Sequence, residues 1–185
     1  MLVLGIRFFV LDASALMAGP LEATEGVKFA TTPGIIEEIH DPTISVRITG
    51  WKDAKILHPM EPTPNFVKQV KEAAIKTGDL RVLSENDLNL VSLALELGQT
   101  WEDADVTLVC GDFAMQNTAR ALNIKIDTVS KGIKKTIQWQ WYCPACGKRD
   151  FRDPTIRECD VCGTPLKRRD AQRQQNRQKS GKRNR

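Results

Sequence analysis

The chain has 185 residues, of which 27 are basic and 23 acidic, and its formal net charge is +4. Because domains cluster near about 100 to 150 residues, this length predicts one ordinary domain and one small one. The apolar opening, residues 2–11, is interrupted by Arg7 and followed by Asp12, which excludes a membrane helix and a signal peptide. One of the five cysteines, Cys110, has no neighbouring cysteine, so the composition favours a cytoplasmic protein without a membrane partner.

The first part of the chain alternates β-rich runs with helical patterns. This alternation predicts an α/β fold, a Rossmann-like parallel sheet covered by helices. Residues 6–11 are typical of a buried strand, and threonine–proline pairs at 32–33 and 63–64 each predict the start of a helix. Gly78 predicts the end of the second helix. Residues 41–62 lie between the two helices and carry several prolines, so we expect a long loop there, with Lys55 to His58 as a candidate strand.

A third helix is predicted to begin at Ser84, which forms a capping-box pattern with Asp87 three residues later. Gly98 would end it. The remaining elements are predicted in the order strand, helix, strand: Val106 to Cys110, Phe113 to Leu122 and Ile124 to Ile126.

Four cysteines form two identical pairs, Cys143 with Cys146 and Cys159 with Cys162. Two residues between paired cysteines let both thiolates face one ion, and the glycine after each pair permits the positive φ of so tight a turn. With twelve residues between them, the pairs predict one structural zinc site. Two disulfides are the alternative, but they require an oxidising compartment.

These patterns divide the chain into an α/β domain at 1–128, a linker at 129–138, a zinc ribbon at 139–167 and a tail at 168–185. From Lys167 onward nine basic residues stand against one acid, so the end of the chain carries +8 and the remainder −4. A basic tail on an acidic body suits a polyanionic partner. The alternative is a disordered tail that only improves solubility.

Four acids accompany the predicted strands. Asp12 and Asp112 each follow an apolar strand, and in a doubly wound sheet ligands gather at the carboxyl ends of the strands. Glu38 lies on the first helix and Asp87 in the first turn of the third. If the two strands are neighbours, all four acids can converge on one pocket, which would need divalent cations between its carboxylates. Mg²⁺ or Mn²⁺ in such a pocket suits phosphodiester hydrolysis.

Each acid also has an ordinary explanation. Asp87 could complete the capping box, Asp112 could be an N-cap, Glu38 could face solvent and Asp12 could form a turn. We expect the two histidines to be ordinary polar positions. The other nearby acids are expected to be solvated, with the last of them a reserve candidate: Glu37, Asp103 and Asp105.

The acidic segments resemble the motifs of PIN-domain nucleases: Phe9 to Ser14, Thr32 to Ile39, Leu83 to Asp87 and Cys110 to Asn117. With the zinc ribbon after them, residues 5–167 resemble the archaeal form of the NOB-type endonuclease family. This resemblance implies a PIN-like fold and a single-strand-specific endoribonuclease that matures the 3′ end of small-subunit ribosomal RNA.

The same resemblance implies residue roles. The catalytic residues and ligands of Mg²⁺ or Mn²⁺ would be Asp12, Glu38, Asp87 and Asp112. Ser14 and Asn117 would orient those ligands or waters. The register of the motif favours Glu38 over its neighbour Glu37. Many relatives carry two acids where this chain has Gly111 and Asp112, so a second metal ion stays open.

RNA recognition is expected from the ribbon and the start of the tail, where aromatic rings could stack unpaired bases while cations hold phosphates. The candidates are Trp139, Trp141, Lys148, Arg149, Arg152, Lys167, Arg168 and Arg169. The alternative for the aromatics is packing against the metal knuckles or the nuclease domain, which we expect for at least one tryptophan.

The function we expect is metal-dependent cleavage of precursor 16S ribosomal RNA, with the pre-small-subunit particle and other assembly factors as partners. Three alternatives stay open: a noncatalytic RNA-binding scaffold, a PIN-type toxin ribonuclease acting on transfer or messenger RNA, and a transcription-type zinc ribbon that prefers duplex DNA. Divalent-metal binding that is lost on Asp12→Asn or Asp112→Asn would distinguish a nuclease from a scaffold.

Overall fold

The computed structural model describes residues 6–22, 24–101, 103–128 and 135–171. The first domain contains five strands and six helices within this part of the chain: β1 (Arg7–Leu11), α1 (Ala13–Ala18), β2 (Val27–Thr31), α2 (Pro33–Glu37), α3 (Pro42–Asp53), β3 (Leu57–Pro59), α4 (Pro64–Thr77), α5 (Glu85–Thr100), β4 (Asp105–Val109), α6 (Phe113–Ala121) and β5 (Lys125–Asp127). The second contains two strands, β6 (Trp139–Tyr142) and β7 (Lys167–Asp170).

The five strands of the first domain form one parallel sheet in the order β3-β2-β1-β4-β5. The two strands that carry acids at their ends, β1 and β4, are direct neighbours, with Leu11 paired to Val109. The chain crosses from one side of β1 to the other between β3 and β4, which is where such sheets form ligand-binding crevices. The predicted α/β fold is therefore confirmed, and Asp12 and Asp112 lie at the same edge of the sheet.

Helix α5 is buried on most sides because it packs against α4, α6, β1 and β4. Its buried apolar side chains are Leu88, Leu90, Val91, Leu93, Ala94, Leu95 and Leu97. The capping box that the sequence predicts is present, since Ser84 and Asp87 bond to each other's backbone N–H groups. The buried helix and its cap hold Asp87 firmly at the edge of the core.

The predicted loop at 41–62 is wrong for its first half, which forms helix α3. Asp41 caps this helix by accepting the backbone N–H groups of Thr43 and Ile44, at 2.8 and 3.1 Å, and Pro42 occupies its first turn. Only Ile48 and Trp51 of the helix are buried. Because most of its surface faces solvent, the apolar periodicity that marks a helix is absent, and the capping signal of Asp41 and Pro42 was the one clue.

The second domain is a small ribbon in which β6 and β7 pair in antiparallel fashion. Strand β7 extends to Asp170, beyond the predicted end of the ribbon at Lys167. Arg168 and Arg169 therefore belong to the ribbon sheet and not to the tail. The rest of the predicted tail, 172–185, and residues 129–134 of the predicted linker lie outside the described residues.

Within the described part of the chain, no helix is both long and apolar enough to span a bilayer.

Candidate active site and metal centre

Asp12 is the most firmly held of the four acids. It is 5% exposed and caps α1, with Oδ1 accepting hydrogen bonds from Ser14 Oγ at 2.8 Å and from the backbone N–H of Ala15 at 2.7 Å. Its Oδ2 accepts the backbone N–H of Gly111 at 2.9 Å. Since a carboxylate offers about four acceptor sites, Asp12 keeps capacity for a cation after these bonds.

Asp112 is the N-cap of α6. Its Oδ1 accepts both the Ala114 and the Met115 N–H, at 2.7 and 2.9 Å. Among the described residues no hydrogen bond reaches Oδ2, and the residue is exposed. One oxygen of Asp112 thus fixes the side chain while the other is available to a ligand.

Asp87 accepts two hydrogen bonds on Oδ2, from the backbone N–H and the hydroxyl of Ser84, both at 2.8 Å. Burial raises the pKa of the Asp87 carboxyl above its usual range, the bonds from Ser84 oppose this rise, and the negative charges of Asp112 and Glu38 add to it. Asp112 and Glu38, which belong to other elements, are therefore near enough for their charges to act on the Asp87 carboxyl.

Glu38 is held by Asn86, whose Nδ2 donates to Glu38 Oε1 at 2.7 Å and to the Gly34 carbonyl oxygen at 3.3 Å. A Cβ on Gly34 would collide with Asn86 Oδ1, so a larger residue at this position would displace the Asn86 amide that holds Glu38. Glu37 is exposed and is involved in no hydrogen bond or ion pair from its side chain among the described residues. The geometry therefore favours Glu38.

Cys110 lies beneath the acids and is fully buried. Its thiol pKa is raised well above the usual range, first by burial and then by the charges of Asp12, Asp112 and Asp87. The thiol stays protonated at neutral pH, so Cys110 is a core residue and not a nucleophile. The charges of three acids thus reach this one buried thiol.

The four acids offer oxygen donors, which is the ligand class that hard divalent cations prefer. Among the described residues, the one group whose ligand atoms all lie within 4.8 Å of one another is the set of four cysteines. The carboxylate oxygens of the four acids form no such group among the described residues. The reserve candidate Asp105 starts β4, at the opposite edge of the sheet, and forms an ion pair with Lys125.

Ser14 and Asn117 have different surroundings. The Ser14 hydroxyl donates to Asp12, as a residue that orients a ligand would. Asn117 is 1% exposed, and its hydrogen bonds go to Asp79 and to the backbone of Ile137 instead of to the four acids. Asn117 therefore lies at the junction between the two domains, whereas we expected it to orient the metal ligands or waters.

The four cysteines form a second site, in the ribbon. The sulfur atoms of Cys143 and Cys162 lie 3.4 Å apart and those of Cys146 and Cys159 3.7 Å apart. Thiolates around a tetrahedral zinc ion lie about 3.8 Å apart, because the Zn–S bond is about 2.3 Å. Both knuckles turn at glycines with positive φ, +78° and +70°, as the spacing predicts. The cluster could therefore hold a metal ion such as zinc.

The predicted RNA-binding residues fall into two groups. Several are used inside the ribbon or at the junction: Trp139, Trp141, Lys148, Arg168 and Arg169. Trp141 Nε1 donates to the Gly78 carbonyl oxygen at 2.8 Å, Arg168 pairs with Asp79 at 3.0 Å, and Lys148 pairs with Asp160 at 2.7 Å. The others are exposed and have no side-chain partner among the described residues: Arg149, Arg152 and Lys167.

The sequence did not single out Asp79, Arg81, Asn86 or Phe113. Asp79 looked like an ordinary turn acid after Gly78, yet it is fully buried. Arg81 stands in an apolar run, which is a detectable signal for a charge with a specific partner. Phe113 directly follows Asp112 and is 54% exposed, so an aromatic ring lies open to solvent beside the acids.

A parallel sheet with acids at the ends of β1 and β4, followed by a four-cysteine ribbon, defines a PIN-type nuclease domain with a metal-binding appendage. Residues 9–97 match the family described as the PIN domain of ribonuclease. Endoribonuclease Nob1 of Pyrococcus abyssi is 33% identical over 159 residues, which cover 85% of this chain and 91% of that protein. The chain belongs to the Nob1 family of PIN-domain endoribonucleases.

Two further relatives bear on the substrate. Ribonuclease VapC1 of Thermoplasma acidophilum is 34% identical over 166 residues, covering 86% of this chain and 77% of that protein. The 20S-pre-rRNA D-site endonuclease NOB1 of Saccharomyces cerevisiae is 32% identical over 94 residues, covering 50% of this chain and 20% of that protein.

Proposed function

We propose that this chain is a metal-dependent endoribonuclease that cuts precursor small-subunit (16S) ribosomal RNA to form its mature 3′ end. The observation that supports the proposal is the hydrogen bond from the Gly111 N–H to Asp12, which joins the ends of β1 and β4 beside Asp112, together with the bond from Asn86, the neighbour of Asp87, to Glu38. Endonuclease relatives that include one named for 20S pre-rRNA support the substrate class.

The four acids would hold Mg²⁺ or Mn²⁺, with Asp12 as the fixed ligand and the unbonded oxygen of Asp112 as an open one. A divalent cation bound there would polarise the scissile phosphate and lower the pKa of a bound water. The chain's own contribution is rigid placement: Ser14 holds the Asp12 carboxylate, Ser84 holds Asp87, and Asn86 holds Glu38.

Attack of water on phosphorus breaks the bond to the 3′ oxygen, so the products carry a 5′ phosphate and a 3′ hydroxyl. Among the described residues near the acids, the Cys110 thiol is buried and the Ser14 hydroxyl holds the Asp12 carboxylate, so water is the nucleophile that we propose. A 2′,3′-cyclic phosphate on the product would instead indicate attack by the RNA's own 2′-hydroxyl and would contradict this mechanism.

The ribbon would bind a structured part of the RNA. Arg149, Arg152 and Lys167 are exposed cations whose side chains have no partner in the described part of the chain, and they can hold phosphates, whose contacts dominate nucleic-acid affinity. The cysteine cluster would hold structural Zn²⁺, which metal analysis should find at about one ion per chain and which Cys146→Ser should remove. The chain would act in the cytoplasm, on RNA within the pre-small-subunit particle.

A second candidate is a toxin-type ribonuclease that acts on transfer or messenger RNA, because the relative named VapC1 matches over 86% of this chain. Both candidates use the same acids, and they differ in the substrate alone. Competition between precursor ribosomal RNA, transfer RNA and messenger RNA in one reaction distinguishes them.

The test is cleavage of a precursor RNA that spans the small-subunit 3′ end, in Mn²⁺ or Mg²⁺, by the natural protein and by Asp112→Asn. We expect one metal-dependent cut at the mature end that Asp112→Asn abolishes. Preferential cutting of transfer or messenger RNA would favour the second candidate. Equal cutting by the natural protein and Asp112→Asn would overturn the assignment of the pocket.

A further inference from the structure

We propose that Asp79 is a positioning residue that locks the zinc ribbon onto the nuclease domain in one orientation, so that the ribbon determines which phosphodiester bond of a bound RNA reaches the acids. The part of this inference that concerns RNA rests on the proposed function. The part that concerns the lock rests on contacts between the two domains.

Asp79 is fully buried and follows the left-handed Gly78 at the end of α4. Its Oδ1 accepts Arg168 Nη1 of the ribbon at 3.0 Å, and its Oδ2 accepts Asn117 Nδ2 at 2.6 Å. A buried carboxylate is costly unless it is paired and hydrogen-bonded. If the ribbon moved away, Asp79 would lose its one cationic partner among the described residues, and the buried charge therefore opposes such movement.

Asn117 ties the chain segment that enters the ribbon to the same point. Its Nδ2 donates to both Asp79 Oδ2 and the Ile137 carbonyl oxygen, at 2.6 and 2.7 Å, while its Oδ1 accepts the Ile137 N–H at 2.6 Å. Both amide protons and the oxygen are used, so the side chain has one favourable orientation. Ile137 lies two residues before β6, and the first strand of the ribbon is thereby fixed at its start.

Arg81 forms a second anchor on a different part of the ribbon. It is 9% exposed, and it donates from Nε to the Ile156 carbonyl oxygen at 2.7 Å and from Nη2 to the Asp153 carbonyl oxygen at 2.9 Å. Its guanidinium also lies 5.0 Å from the ring centre of Trp141, which itself bonds to Gly78. One anchor would allow the ribbon to swivel, whereas two anchors at separate places define its orientation.

Both anchors connect to elements that carry acids. Asn117 is on α6, which Asp112 caps, and the segment from Asp79 to Arg81 leads into Ser84 and Asp87 at the start of α5. The exposed cations Arg149 and Arg152 are on the ribbon itself. Because both domains are joined at the junction, the distance from the RNA-holding cations to the acids is fixed, and a fixed distance selects one bond for cleavage.

The test compares two double variants of the full zinc-loaded chain. Arg81→Gln/Arg168→Gln removes the anchors from the arginine side and leaves the buried Asp79 in place. Arg149→Gln/Arg152→Gln removes the same charge from the exposed part of the ribbon. The first measurement is ¹⁵N relaxation without RNA. In the natural protein and in Arg149→Gln/Arg152→Gln, the exposed-site variant, both domains should have one rotational correlation time. In Arg81→Gln/Arg168→Gln, the anchor variant, the ribbon should have a separate and shorter correlation time.

The second measurement maps the cuts in precursor RNA. The anchor variant should cut at several neighbouring bonds, and its RNA affinity should be no lower than that of the exposed-site variant. The exposed-site variant should bind RNA more weakly than the natural protein does, but it should cut at one bond. Two correlation times in the natural protein, or a single time in the anchor variant, would overturn the lock. A single cut by an anchor variant whose ribbon tumbles freely would overturn the positional role. Failure of the natural protein to cut would count against the proposed function alone, since relaxation tests the lock without RNA.

Discussion

The Asp12 carboxylate and the Gly111 backbone N–H are joined by a 2.9 Å hydrogen bond, although 99 positions separate the two residues in sequence. This bond connects the end of β1 to the loop after β4 and sets the distance between the first and last acidic motifs. Asp12 uses both of its carboxylate oxygens for bonds to the protein, whereas Asp112 uses only Oδ1 within the part of the chain that the structure describes. The two acids should therefore respond differently to the same isosteric change.

Asp12→Asn should destabilise the domain by about 1 to 3 kcal/mol, because its amide nitrogen must face an N–H donor whichever way it turns. Asp112→Asn can keep its oxygen on the helix N-terminus and place the amide toward the pocket, so its stability should equal or exceed that of the natural protein. Urea unfolding of zinc-loaded protein without Mg²⁺ measures both. Equal losses of stability in the two variants would contradict the hydrogen-bond assignment, and both variants should fail to cut RNA.

Gly78→Ala should weaken the contact between the domains. Gly78 has a φ of +79°, and a Cβ there would lie 2.5 Å from the Trp139 carbonyl oxygen. Gly26 is a matched control, since its φ is +74° but a Cβ there would meet nothing within 4 Å. Both variants should lose about 1 kcal/mol to backbone strain. Only Gly78→Ala should also shift the amide resonances of the ribbon, and shifts of equal size in Gly26→Ala would rule out a specific clash.

Arg168→Gln should make stability more dependent on pH. Burial raises the pKa of Asp79 above 3.8, while Asn117, Thr77 and Arg168 oppose the rise. A carboxyl group whose pKa is higher in the folded state than in the unfolded state stabilises the fold at pH values below its unfolded-state pKa. This stabilisation is lost as the pH rises through the folded-state pKa. Loss of the arginine raises the Asp79 pKa further.

The free energy of unfolding of Arg168→Gln should accordingly fall below that of the natural protein by about 1 to 3 kcal/mol at neutral pH, and the difference should narrow as the pH is lowered and Asp79 becomes protonated. Urea unfolding over a pH series checks this. A difference that stays constant or grows toward acidic pH would mean that Asp79 is not the group involved.

Phe113 should contribute to binding of single-stranded RNA, because its exposed ring adjoins Asp112 and can stack on an unpaired base. Loss of such stacking in Phe113→Leu should cost about 1 to 3 kcal/mol, or roughly 5- to 150-fold in Kd. Phe113→Tyr keeps the ring and should bind like the natural protein. Fluorescence anisotropy with a single-stranded oligonucleotide measures the three proteins, and equal affinities would remove Phe113 from the RNA-binding surface.

The sheet, α4, α5 and the placement of Asp12 and Asp112 at strand ends were predictable because they depend on local signals: an apolar run followed by an acid, a Ser84–Asp87 capping box and a glycine at a helix end. Parallel strands end at one edge, so those signals also placed Asp12 and Asp112 together. Helix α3 was missed because its exposed surface carries no apolar periodicity, and its capping residue Asp41 gave only a short signal.

The junction could not be predicted, because a local pattern does not show which charge will be buried. Arg168 looked like part of a basic tail and Asn117 like part of an acidic motif, yet both bond to Asp79 across the domain boundary. Trp141 likewise uses its indole N–H on the nuclease domain, as the packing alternative for a tryptophan anticipated. Contacts between residues this far apart depend on the docked arrangement of the two domains.

The most direct measurement is a titration of zinc-loaded protein with Mn²⁺, in which electron paramagnetic resonance counts the free ion. The natural protein should bind Mn²⁺ at a site for which Mg²⁺ competes, and Asp112→Asn should weaken this binding by about 10- to 100-fold. Asp105 is an acid at the opposite end of β4, and the control variant Asp105→Asn should leave the Mn²⁺ binding unchanged. Equal Mn²⁺ affinity in all three proteins would contradict the account, because the four acids would then not form a cation site.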